Sequence, residues 1–165
     1  RLNSAKDLDV YKKAYALAME IFHVSKGFPP EERYALTGQI RRSSRSVCLN
    51  LREAWAKRRY ESHFINKLTD CDGENSETDS SLDFAKDCGY ITPEQHERLT
   101  GHCAEIGKML GSMLNNPKSF IIDTLTPDLW SLTSDLMTDT AIRFENLSKL
   151  YRIGANHERY RTQDN

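Results

Sequence analysis

The residues best equipped for chemistry lie between Gln39 and Arg59, where cationic and amide side chains recur at helical spacing. From Arg33 to Arg59 about eight basic residues stand against the single acid Glu53, whereas Glu61 to Asp87 carries about eight acids against Lys67 and Lys86. At about 100° per residue, Gln39, Arg42, Ser46, Asn50 and Glu53 fall on one flank of a helix. Arg41, Arg45, Arg52 and, if the helix runs that far, Arg59 fall on the opposite flank. The first seam suits hydrogen bonding and carboxylate pairing. The second, joined by Lys57 and Arg58, suits phosphate contact, because clustered cations release counterions when they meet RNA or DNA. A solvated or subunit-facing basic edge is the plain alternative.

Other chemistry is poorly provided for. Cys48, Cys71, Cys88 and Cys103 form no Cys-x-x-Cys pair and read as reduced core thiols. His63, His96 and His102 read as isolated surface histidines. A di-iron bundle core needs glutamates on two helices and Glu-x-x-His on two others, and no such tetrad occurs. Neither a phosphate-cradling Gly-rich loop nor a Gly-x-Ser-x-Gly turn is present. The expectation is a protein with no catalytic residues, no metal and no cofactor. A net charge of -1 does not suggest a globally basic nucleic-acid binder.

Helices must position these side chains. With 165 residues, 8 Gly and 5 Pro, the chain suits one helical domain. Leu8, Tyr11, Ala14, Leu17, Ala18, Ile21 and Phe22 predict a first amphipathic helix from about Asp7 to Lys26, ended by Gly27 and Pro29-Pro30. Leu36, Ile40, Val47, Leu51 and Ala54 predict a second from about Glu32 to Arg58. A third, Glu61 to Asp87, turns Phe64, Leu68, Cys71, Leu82 and Ala85 inward but carries Asn75 and Thr78 mid-face, so its centre is polar. After Gly89, Thr92-Pro93-Glu94-Gln95 supplies a cap, a first-turn proline and a capping-box glutamine for a fourth helix, which Asn115-Asn116-Pro117 stops.

This pattern predicts an all-α, up-down-up-down antiparallel four-helix bundle over residues 1–116. Residues 117–165 form a C-terminal extension in which Thr126-Pro127-Asp128 starts a possible fifth helix through Tyr151, with a polar end from about Asn156. No apolar run approaches the roughly 20 residues of a membrane span, and no charged-then-apolar leader opens the chain, so a cytoplasmic location is expected.

If the second and third helices turn near Arg59-Tyr60, residues whose numbers add to about 119 stand at one height. Arg42 then meets Glu77, and Asp70, Glu74 and Glu77 can face the Gln39 to Glu53 seam. The seam reads as a partly buried ion-pair lock, in which stranding Arg42 costs about 3 to 5 kcal/mol. On that reading Glu77→Ala destabilises more than Asp83→Ala.

The run Gln39 to Glu53, together with Asp7-Leu8, Phe28-Pro29 and Glu77 to Gly89-Tyr90-Ile91, resembles the four helix bundle proteins, also called 23S ribosomal RNA intervening-sequence proteins. That family includes accessory proteins of diversity-generating retroelements. The resemblance covers about Leu8 to Leu114. Two positions depart from the family pattern: Ala54 stands where a Gly is usual, and Gly73-Glu74 replaces a Gly-Ser pair. The resemblance implies a homo-oligomer, specifically a ring of five bundles, and RNA or a reverse transcriptase as partner. The expected function is a non-catalytic, self-assembling scaffold or adaptor that binds RNA or a nucleoprotein partner through the basic edge of the second helix. The alternative is a purely structural homo-oligomer or protein-interaction module.

Overall fold

The structure is a computed structural model in which residues 3–122 are described. The expected fifth helix and polar end lie outside the described residues. Four helices are formed: α1 (Asp9–Val24), α2 (Leu36–Lys57), α3 (Glu61–Asp87) and α4 (Pro93–Asn115). No strand occurs among the described residues. Each helix packs on its neighbour in sequence and α1 closes against α4, which gives the up-down-up-down bundle. The segment after α4 folds back, with Phe120 stacked on Phe64 at 5.9 Å and the Ile122 amide donating to the Arg58 carbonyl at 3.2 Å.

The apolar stripes meet in one core. Ile21, Ile40, Leu51, Phe64, Leu68, Leu99, Ile106 and Leu110 are almost wholly enclosed. Across its centre runs a polar layer of Ser43, Ser44, Asn75 and Thr78. Thr78 Oγ1 lies 2.9 Å from Ser43 Oγ on α2, and Asn75 Nδ2 donates to the Cys103 carbonyl on α4 at 3.0 Å. Buried polar groups demand such partners, so the layer ties three helices together at one height.

The helix ends show which local signals prevailed. Gly89, at φ 74°, ends α3 in a Schellman turn: its amide donates to the Lys86 carbonyl and that of Tyr90 to the Ala85 carbonyl, at 2.9 and 2.8 Å. Thr92 and Gln95 form the reciprocal capping box expected for α4.

The two earlier helices are shorter than their apolar patterns suggested. Ser4 and Asp7 cap a separate 3₁₀ turn, Ala5–Asp7, so α1 begins at Asp9, and at its other end the turn Ser25–Gly27 follows Val24. Pro30 starts another turn, Pro30–Tyr34, and a break at Ala35 delays α2 to Leu36. Glu32 crosses that break, its Oε2 accepting from the Leu36 amide at 3.0 Å and its Oε1 from the Tyr90 hydroxyl at 3.2 Å. Gly38 fits closely there, since a Cβ would stand 3.3 Å from the Arg33 carbonyl oxygen and press that backbone back by a few tenths of an ångström. Ala54, the departure from the family glycine, is buried, and α2 continues past it to Lys57.

The cysteines divide. Cys48, Cys71 and Cys103 are buried, and burial pushes their thiols up to about 11, 12 and 12. Cys88, expected in the core, is instead exposed because it caps the C-terminus of α3. A raised thiol pKa leaves little thiolate, the reactive form, near neutrality. Iodoacetamide at pH 8 should therefore modify Cys88 alone in the native protein and all four cysteines after denaturation, as read by mass spectrometry. Gly89→Ala should lower unfolding stability by roughly 1 to 2 kcal/mol, since an L side chain is disfavoured at that φ; a denaturant titration checks it.

Candidate nucleic-acid interface

The two flanks of α2 have different neighbours. The Gln39 to Glu53 flank meets α3 at the expected height. Arg42 Nη2 lies 2.9 Å from Glu77 Oε1, and the Cys71 thiol donates to the Val47 carbonyl at 3.6 Å. Further along, Lys67 Nζ reaches Glu53 at 3.0 Å, Asp70 at 2.9 Å and Asn50 Oδ1 at 3.3 Å. Lys67 is thus the hub of the seam, a role missed in the sequence although the pairing that aligns Arg42 with Glu77 also brings Lys67 opposite Glu53. The hydrogen bonds it donates to Asp70 and Glu53 hold the Lys67 ammonium above its ordinary pKa, and Lys67 holds the Glu53 carboxyl below its own.

The seam is more open than a buried lock. The Arg42 side chain is 64% exposed and that of Glu77 32%. Water screens such a pair, so it belongs with exposed bridges of about 0 to 1 kcal/mol and not with buried ones. Gln39 is exposed and Ser46 half-buried, and neither side chain has a hydrogen bond among the described residues. Between the Arg42 and Lys67 contacts lies a groove lined by Asn50, Thr69, Asp70, Gly73, Glu74 and Glu77, with Glu74 Oε2 shielded and without a hydrogen-bond partner among the described residues.

The other flank looks toward α1. Arg41 Nε donates to Ser25 Oγ at 2.7 Å, and Arg52 Nη1 to Ser4 Oγ at 2.8 Å. The guanidinium groups of Arg41 and Arg45 and the Lys26 ammonium lie 5.1, 5.7 and 4.8 Å from the Phe22 ring centroid. Among the described residues, none of Lys26, Arg41, Arg45 and Arg52 has a carboxylate within 4.0 Å.

The remaining basic residues separate from this edge. Lys57 bridges to Glu53 at 3.7 Å, and the Arg58 guanidinium stacks 4.0 Å from the Trp55 centroid. Because α2 stops at Lys57, Arg58 and Arg59 occupy the turn and Arg59 does not extend the seam.

The same family of sequences accounts for this bundle. Residues 6–112 match the family described as 23S rRNA-intervening sequence protein. The chain belongs to that family. The segment beyond residue 112 lies outside the match. Among solved structures, this family member is similar to a protein of unknown function from the S23 ribosomal protein family of Bacteroides thetaiotaomicron. The two share 32% identity and a TM-score of 0.60, over 65% of this chain and 96% of that one. No curated protein matches.

Two further features of this intervening-sequence protein bear on chemistry. His96 is not isolated, since its Nε2 lies 2.6 Å from Asp83 Oδ1. Among the described residues, no three His, Cys, Asp or Glu side chains converge as a metal-binding group, and no helix is long and apolar enough to cross a membrane.

The exposure of the Arg42–Glu77 pair sets its strength. A double-mutant cycle with Arg42→Ala and Glu77→Ala should give a coupling below about 1 kcal/mol. Thermal or denaturant melts of the four proteins measure it, and a coupling of several kcal/mol would restore the buried lock.

Proposed function

We propose that this chain is a non-catalytic helical-bundle protein that assembles with copies of itself and binds RNA through the α1-facing edge of α2. One observation carries the reading: Glu77 of α3 pairs with Arg42 and Asp70 with Lys67 of α3 itself, while among the described residues Arg41, Arg45 and Arg52 have no carboxylate within 4.0 Å. The acidity of α3 therefore does not cancel the basic edge. Uncompensated guanidinium groups in a row are the feature that phosphates recognise. The family description, which refers to 23S rRNA, supports the same class of partner. Self-assembly in a closed ring would add several such edges into one field, compensating for the small cationic surface of a single bundle.

Light scattering and a fluorescence-anisotropy titration with RNA at two salt concentrations test both halves. The protein should scatter as a multiple of its chain mass. Replacing Arg41, Arg45 and Arg52 together by Gln should weaken binding and reduce the slope of log affinity on log salt by about 2 to 3. An oligomer indifferent to RNA at low salt would leave only the structural reading.

A further inference from the structure

The basic edge of α2 does not stand alone. On α1, Tyr11, Tyr15, Met19 and Phe22 recur every three or four residues and so occupy a single arc of about 80° at 100° per residue, and Lys26 follows in the turn beyond the helix. That arc borders α2, as the contacts of Phe22 with Arg41 and Arg45 show, together with the 4.0 Å approach of the Cys48 thiol to the Tyr11 carbonyl. Tyr15 is 54% exposed, Met19 39% and, on α2 between Arg45 and Arg52, Leu49 64%. The α1–α2 face therefore interleaves flat or apolar side chains with cations that have no carboxylate partner among the described residues. Tyr15 also has a supported ring, stacked on Tyr11 with centroids 6.4 Å apart and planes at 17°.

We infer that the α1–α2 face is a track for single-stranded nucleic acid, with Arg41, Arg45 and Arg52 on the phosphates and Tyr15 a stacking platform for a base. The inference rests on the RNA-binding reading and narrows it. A duplex offers phosphates on its outside while its bases stay stacked within, so it would engage the cations and leave Tyr15, Met19 and Leu49 facing water or charge. A single strand offers both a charged backbone and free base faces. Cationic grooves carrying aromatic side chains suit that combination. Successive positions of the α1 arc stand about one helical turn apart, roughly 5.4 Å, wider than the roughly 3.4 Å between stacked bases. The strand would thus be splayed along the face.

The test uses the full chain with an unstructured RNA of about ten nucleotides, a length within the range of single-strand sites, and with a duplex of equal length. Anisotropy is read at two salt concentrations. The single strand should bind more tightly than the duplex. Tyr15→Ala should weaken the single strand roughly five- to a hundredfold, with the salt slope and duplex binding unchanged, and Tyr15→Phe should restore it. Equal affinity for both probes, unaffected by Tyr15→Ala but lost with the three arginines, overturns this inference and keeps the proposed function. Absence of binding to either probe overturns both. A change of scattering mass in Tyr15→Ala marks the face as a contact between copies and also overturns the inference.

Discussion

The antiparallel contact of α2 with α3 is the constraint on which the remaining geometry depends. Apolar packing alone tolerates small slips between two helices, because one aliphatic side chain substitutes readily for another. A buried hydroxyl does not. Thr78 and Ser43 also bond to carbonyls of their own helices, but only this register brings their two oxygens into contact, and only here does the Asn75 amide reach the Cys103 carbonyl instead of leaving its donor unpaired in the core. Once those heights are set, Arg42 arrives at Glu77 and Lys67 at Glu53 without further choice. The surface pairs follow from the register and do little to hold it.

The same contact sorts the charges of α2. Because α3 covers one flank, its Glu77 neutralises Arg42 there, and the opposite flank keeps its charge beside α1. A near-neutral chain thereby presents a locally cationic face, which its formal net charge of -1 conceals. Cation–π contacts at Phe22 orient Lys26, Arg41 and Arg45 without discharging them. An ion pair in their place would have fixed the side chains equally well and removed their field.

Much of this was legible in the residues because the signals were local. The span of α3, the Thr92–Gln95 capping box and the glycine stop at Gly89 each depend on neighbours within a few positions. The α2–α3 pairing was legible because a short turn links the two helices and fixes their relative height. Long-range features were not. Glu32 reads as one more residue of a helix until Tyr90, 58 positions away, is seen to hold its other oxygen. Lys67 was hidden in an acidic run, and the exposure of Arg42 depends on how far its side chain leans over the surface. Tyr11 and Phe22 matched the core periodicity yet sit at its margin, half-buried. Periodicity locates a stripe and does not mark its edge.

The hydrogen bond from Tyr90 to Glu32, reinforced by the Phe28–Tyr90 ring contact at 5.4 Å, joins two connections at one end of the bundle. One leads into α2 and the other into α4. Fastened in this way, the first turns of α2 are spared the fraying usual at a helix start, and Arg41 projects from a fixed support. A ligand of the kind proposed would meet side chains whose backbone is already ordered, so less motion would be surrendered on association.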